Sequence, residues 1–394
     1  MKTNKAILVT LFRGANYGTV LQAFAMKNLV KKSGYDPNVL WYKSSSLVKG
    51  RDLRIKKILG SLLKLLLHPR LVKKTAGSER ELASKVISPK TVDMFNSFCE
   101  ENLGVLKMTY SEMKHFARSD DVKFAVCGSD QIWNSTLLYL DPAYFLRFVP
   151  EKKRISYAPS LGRGYIPDYN RKKLLKYISG IPHVSVREQS GKELIEKELN
   201  RECKVVLDPT LVLSKQEWQD VLSDAKIPEK PVLEDYILLY FLDEPTDAVI
   251  GQIKKYSEEN KVRIVSMLHS FEVYNGLGDI LCLVPTPFEF VRLIEKARAV
   301  FTDSFHGVAF SVNMNSTFFS FERQYGVSAD QSTRITGLLQ KLGIEERYIG
   351  KDKYFENFDD IDYGTVNESL EKERENSMKY LTCSITDVIG GNGE

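Results

Sequence analysis

Short unbroken apolar runs alternate with stretches of helical periodicity along most of the chain. Ala6-Ile-Leu-Val-Thr-Leu-Phe12, Val39-Leu-Trp-Tyr42, Val122-Lys-Phe-Ala-Val-Cys127, Tyr236-Ile-Leu-Leu-Tyr-Phe-Leu242, Val262-Arg-Ile-Val-Ser-Met267 and Ala299-Val-Phe301 read as strands apolar on both faces, as in a covered parallel sheet. Between the first two, Val20, Leu21, Phe24, Ala25 and Leu29 recur at helical spacing. The pattern passes Pro228 and Pro231, read as a linker, and restarts at Tyr236. It predicts an α/β protein with two Rossmann-like domains facing a cleft. The expected bounds are 1–212 and 213–360, with a basic helical insertion at about 47–90 in the first domain. A charged helix over Val366 to Ile385 and a frayed glycine-rich end fill 361–394.

Local detail follows from the same pattern. Thr75 to Ser119 reads as mostly helical, and Ser190-Gly-Lys-Glu193 as a capping box. In the insertion, Ile55, Ile58, Leu59, Leu62, Leu63 and Leu66 form one apolar stripe that Pro69 stops. Between Leu47 and Lys74 there are nine Lys or Arg and one acid, Asp52, more positive charge than the whole chain's net +5. Such a helix either packs its stripe on its own domain or lies in the headgroup region of an anionic membrane, a contact assigned to residues 47–74. Because the positive charge is local, no general nucleic-acid surface is expected.

The chain's 394 residues, 43% hydrophobic, suffice for more than one core. Its five cysteines are odd in number and lie outside any C-x-x-C spacing, so no disulfide framework or zinc ribbon is expected. No His/Asp cluster has metal-ligand spacing, and no metal is expected. The first residues lack the apolar core of a signal peptide, and no apolar run reaches spanning length. A cytoplasmic protein is expected, at most at the inner face of the membrane.

Candidate chemistry lies where polar residues follow buried strands. Thr302, Asp303 and Ser304 form a polar turn after Ala299–Phe301, and Val308, Ala309 and Val312 then fall at helical spacing. Asp303 or Ser304 caps that helix, and His306 and Gly307 sit in its first turn, at the positive end of the dipole. This arrangement either handles a phosphate or carboxylate and moves a proton, or is a capping turn with a structural histidine. Gly128-Ser-Asp-Gln-Ile-Trp-Asn134 is a second polar cluster after a strand. Arg187, at the end of His183-Val-Ser-Val186, either clamps an anion or pairs with Glu188. The loop Arg13-Gly-Ala-Asn-Tyr-Gly18 is not G-x-G-x-x-G and is no dinucleotide fingerprint.

The ordered set Asn16-Tyr-Gly-Thr-Val-Leu-Gln22, Gly128-Ser-Asp-Gln-Ile-Trp-Asn134, Ser185-Val-Arg-Glu188, Leu207-Asp-Pro-Thr-Leu211 and Thr302-Asp-Ser-Phe-His-Gly307 resembles the polysaccharide pyruvyl transferase family. The resemblance runs from about Ile7 to about Arg347. It implies a GT-B-like fold and transfer of pyruvate from phosphoenolpyruvate to two hydroxyls of one sugar, as a cyclic ketal, with phosphate released. It implies no cofactor beyond that donor, and a saccharide acceptor on a polyprenyl diphosphate carrier.

On that chemistry, His306 is the first choice for acid/base work, because its unperturbed pKa lies nearest neutrality. Asp303 is expected to orient it, and Asp130 or Glu188 to serve the acceptor hydroxyls. Arg187, Arg334, Arg323, Ser304 and Gly307 are expected at the donor. Asn16, Tyr17, Gly18, Ser129, Gln131, Trp133 and Asn134 are expected among the remaining substrate contacts. Two alternatives stay open: a nucleotide-sugar glycosyltransferase on the same fold, and a non-catalytic saccharide-binding homologue.

Overall fold

The computed structural model of the chain describes residues 4–42, 55–71, 87–225, 235–323, 332–350, 353–354 and 360–390. The expected linker around Pro228 and Pro231, the ends of the basic segment and the last four residues lie outside them.

The first sheet is built from β1 Lys5–Val9, β2 Asp36–Tyr42, β3 Leu106–Met108, β4 Val122–Cys127 and β5 Arg154–Ser156. Its order is β3-β2-β1-β4-β5, with every pairing parallel. A bridge from Ile155 to His183 links it to the pair β6 Ser185–Val186 and β7 Lys204–Val205. The second sheet contains β8 Tyr236–Tyr240, β9 Arg263–Met267, β10 Ile280–Leu283, β11 Ala299–Thr302, β12 Phe318–Phe321 and β13 Tyr348–Ile349. Its order is β10-β9-β8-β11-β12-β13, again all parallel. Both are Rossmann orders, with strand direction of travel reversing between β1 and β4 and between β8 and β11. The fold class is therefore the expected one.

The central strands are apolar because both faces are covered. β8 and β11 are buried at every position, and β1 from Ala6 to Val9. One continuous apolar cluster joins the two sheets, running from Ala6 and Tyr17 through Trp218 to Phe290 and Phe310. The last helix, Tyr363–Gly390, returns to the first half of the chain. Arg374 Nε donates to the Leu211 carbonyl at 2.8 Å, Ser377 Oγ accepts from Leu207 N at 2.9 Å, and Tyr380 donates to the Ser156 carbonyl at 2.9 Å.

Two local expectations change. The stretch read as helical to Ser119 contains β3 between the helices Pro89–Leu103 and Tyr110–Phe116. β3, β10 and β13 have too few residues to carry a period. The capping box at Ser190 is not formed: the helix starts at Gln189, with Glu188 as its N-cap and no side-chain cap bond.

Candidate functional site

In open parallel sheets, ligands bind beyond the strand C-termini where the order reverses. Here those ends carry Thr10–Asn16 and Gly128–Asp130 in the first sheet, and Phe241–Thr246 and Asp303–Ser304 in the second.

Ser304 caps the helix Phe305–Met314, its hydroxyl accepting from Gly307 N at 3.4 Å. His306, in the first turn, is 6% exposed. Its Nε2 stands 3.8 Å from Asp208 Oδ2, too far for a hydrogen bond, and has no other partner among the described residues. Asp208, 1% exposed, caps the short helix Pro209–Val212. Its Oδ1 accepts from Thr210 N at 3.1 Å and Thr210 Oγ1 at 2.8 Å. Its Oδ2 accepts from Ser129 Oγ at 2.7 Å and Arg187 Nη1 at 2.8 Å. Burial alone raises a carboxyl pKa, but His306, Arg187 and Ser129 outweigh it and hold Asp208 well below the usual carboxylate range. Asp208 is thus a fixed negative charge beside the imidazole.

Arg187 is the hub of the charges. Besides Asp208, it faces Glu188 at 3.7 Å and Asp130 at 3.8 Å, and its guanidinium lies 4.4 Å from the Phe305 ring centroid. Burial opposes its charge, but the three carboxylates raise its pKa. Its Nε and Nη2 and both Glu188 oxygens make no hydrogen bond among the described residues, although they are buried. Asp130 accepts from Thr19 Oγ1 at 2.9 Å and is held at φ 58°, the left-handed region that non-glycine residues enter at a cost. Gln22 supports this corner. Its amide donates to Thr10 Oγ1 and to the Leu11 and Thr19 carbonyls, and its oxygen accepts from Ser129 N at 3.2 Å.

Arg187, Glu188, Asp208, Phe305 and Arg334 line one cleft with a cavity volume of about 230 Å³. Burial first, then Arg187, pushes the Arg334 guanidinium down to about 10, which leaves it charged at neutral pH. A second cleft of about 280 Å³ opens beyond the ends of β1 and β2, with Arg13, Trp41, Tyr144 and Lys57 in its wall.

The structure therefore gathers His306, Arg187, Glu188, Asp130, Ser129, Ser304 and Arg334, and adds Asp208, Thr210, Thr19 and Gln22. In sequence Asp208 stands in the motif Leu207-Asp-Pro-Thr-Leu211, where its polar turn after a short apolar run assigns it no role. Other expected residues are placed differently. Asp303 does not orient His306. Its carboxylate accepts from Leu242 N at 2.7 Å, Asp243 N at 3.0 Å and Arg323 Nε at 3.1 Å, which fixes the end of β8. Burial raises its pKa, and Arg323 offsets only part of that. Arg323 is held by Asp303 and, at 3.5 Å, by Asp243. Trp133 is fully buried, stacks on Phe145 at 5.5 Å and donates to the Tyr144 carbonyl, so it is core rather than ligand contact. Gln131 Oε1 accepts from Asn134 Nδ2 at 3.0 Å, and Asn134 Oδ1 accepts from Thr136, closing their own turn. Asn16 Oδ1 caps the helix Tyr17–Lys32 through Thr19 N. At Gly307 a Cβ would stand 2.3 Å from Thr302 Oγ1, so its smallness serves packing.

Tyr17 is likewise no ligand contact: it is buried between the two sheets. It donates to the Pro285 carbonyl at 2.8 Å and stacks on Phe290 at 4.5 Å. Tyr17→Ala removes both, and should cost roughly 3–5 kcal/mol in urea unfolding. Gly18 next to it is what lets His306 in: an added Cβ would lie 2.0 Å from Nδ1 and 2.2 Å from Cγ. These atoms are near the root of the side chain and cannot swing aside cheaply. Gly18→Ala should therefore displace the imidazole and lower kcat by about tenfold or more. The melting temperature should fall as well, because overpacking of this kind costs about 1–3 kcal/mol, of which alanine's helix preference returns at most about 1 kcal/mol.

Among solved structures the chain is similar to UDP-GlcNAc 2-epimerase from Neisseria meningitidis, at 12% identity and TM-score 0.46, covering 96% of this chain and 99% of that one. It is also similar to MurG of Acinetobacter baumannii, at 9% identity and TM-score 0.42, covering 97% and 99%. No curated protein matches it. The family model for polysaccharide pyruvyl transferase matches residues 16–325, which include His306, Arg187, Glu188, Asp208 and Asp130 but not the segment before Asn16 or Arg334. Most of the chain, with its charge hub and its histidine, is thus covered, and the protein belongs to the polysaccharide pyruvyl transferase family.

Proposed function

We propose that the protein transfers pyruvate from phosphoenolpyruvate to two hydroxyls of one sugar, forming a cyclic ketal and releasing phosphate. The acceptor we propose is a saccharide repeat unit on a polyprenyl diphosphate. The observation that carries this reading is the set of buried groups without hydrogen-bond partners among the described residues: Arg187 Nε and Nη2, both Glu188 oxygens and His306 Nε2. Buried polar groups are rarely left unbonded, and a cluster of them implies a polar ligand.

The reaction assigns each a task. Arg187 and Arg334 take the phosphate and carboxylate of the donor, with the N–H groups of the helix at Ser304 as further donors. His306 gives a proton to the methylene carbon, and the central carbon gains oxocarbenium character. Glu188 accepts a proton from the attacking hydroxyl. The bond from the central carbon to the phosphate oxygen breaks, and two bonds to sugar oxygens form. Of the two hydroxyl protons, one replaces that given to carbon and the other leaves with phosphate. Asp208 keeps a negative charge 3.8 Å from His306 Nε2.

The test is phosphate release from phosphoenolpyruvate in deuterium oxide, with a panel of lipid-linked and soluble saccharides, read by mass spectrometry. Acceptor-dependent release and one deuterium in the ketal methyl are expected. A product that keeps its methylene would exclude the ketal. No release with any acceptor, with thermal stabilisation by a nucleotide sugar and none by phosphoenolpyruvate, would point to glycosyl transfer.

A further inference from the structure

The helix Ile55–Leu67 faces the wrong way for a helix packed by its own apolar stripe. Its small and basic side is turned inward. Gly60 lies against Tyr139, and a Cβ there would stand 3.2 Å from the ring. The Lys64 amine donates to Asn170 Oδ1 and stands 5.3 Å from the Tyr169 ring centroid. Burial first, then Lys173, pushes its pKa down to about 8. The other side, Leu59, Leu62, Leu63, Leu66 and Leu67, is 52–77% exposed, and no described residue buries it. Leucines gain by leaving water, so five turned outward together form a docking face.

The surrounding charge selects what docks. Lys56, Lys57 and Arg70 are exposed on the helix and just past it. Lys173 lies 4.9 Å from the centroid of the same Tyr139 that touches Gly60. Lys172 and Lys176 are exposed on that neighbouring helix, Asp168–Ser179. A leucine face rimmed by lysines fits the headgroup boundary of an anionic bilayer, with leucines at the acyl level and ammonium groups at the phosphates. A second copy of this chain would bring like charge against like across a two-fold axis. Lys57 also lines the cleft beyond β1 and β2, so a bilayer on this helix would lie next to an opening of the first domain.

We propose that Ile55–Leu67 is a membrane-surface helix that seats the protein on an anionic leaflet. The inference goes beyond the donor chemistry and does not depend on it. The experiment is flotation of the full chain with phosphatidylcholine vesicles, with and without phosphatidylglycerol, at low and high salt. The variants are Leu59→Ser/Leu62→Ser/Leu66→Ser and Lys56→Gln/Arg70→Gln. All five positions are exposed, and circular dichroism checks the fold. The wild type should float with the anionic vesicles, and the triple variant should lose about tenfold or more of that binding. The lysine–arginine variant should bind more weakly and respond less to salt. Phosphate release with a soluble acceptor should be unchanged in both, and the vesicle result stands whether or not phosphoenolpyruvate is the donor. Equal flotation of wild type and triple variant would overturn the proposal. So would a wild type that ignores vesicles but is dimeric by light scattering where the triple variant is monomeric.

Discussion

Asparagine at position 208 should abolish acceptor-dependent phosphate release and cost the fold about 3 kcal/mol. Both Asp208 oxygens are filled, one by Thr210 and the other by Ser129 and Arg187. An amide has one acceptor oxygen, so its NH₂ must face either the Thr210 N–H or the guanidinium. The stability loss sits at the low end for a broken buried pair, because Glu188 and Asp130 still face Arg187. Activity suffers more, since the charge beside His306 Nε2 disappears and Arg187 is drawn toward the remaining carboxylates. Urea unfolding and phosphate release measure the two effects separately. The pH dependence adds a third readout. The folded-state pKa of Asp208 is depressed, so its contribution is complete above the ordinary carboxylate range and lost as pH falls below it. Wild-type stability should therefore fall in acid more steeply than that of Asp208→Asn, with the two curves parallel at neutral pH. A variant that keeps wild-type turnover would remove Asp208 from the site.

That residue shows what the sequence could and could not disclose. The turn around His306 was legible because a buried strand, an N-cap and a helical period meet within a few residues. The role of Asp208 is non-local: its partners Ser129 and Arg187 are 79 and 21 positions away. In sequence, Asp208-Pro-Thr210 is an ordinary helix cap, which it also is. Tyr17 and Trp133 misled for the opposite reason. An aromatic inside a polar motif suits a ligand or a core equally well, and burial decides only once the chain has folded. Asp303 lies three residues from His306, yet the strand end turns its carboxylate to the β8 backbone and to Arg323. The basic helix had a legible stripe, but periodicity gives the angle between faces, not which face looks inward. The parallel α/β class followed from the alternation of buried runs and helices, while edge strands as short as β13 carried no signal.

Replacing His306 with alanine should lower kcat by about a hundredfold to ten-thousandfold, the usual worth of a positioned proton donor. The alternative role, a polar wall for the donor, predicts a different pattern: a raised KM for phosphoenolpyruvate with kcat near wild type. The geometry separates these in advance. The ring is packed against Gly18 and buried, with Nε2 unbonded beside an ionised carboxylate. A group that only bound phosphate would compete there with Asp208, whose charge repels the ligand. A proton donor to an uncharged carbon meets no such repulsion. In the alanine variant, added imidazole should restore part of the rate, since the vacated space adjoins Gly18. Glutamine, which fills that space and donates a hydrogen bond but no proton at neutral pH, should be as slow as alanine and insensitive to imidazole. If glutamine instead retains most of the turnover, His306 is a hydrogen-bond donor to the substrate, and the proton for the methylene carbon must come from another group in the cleft.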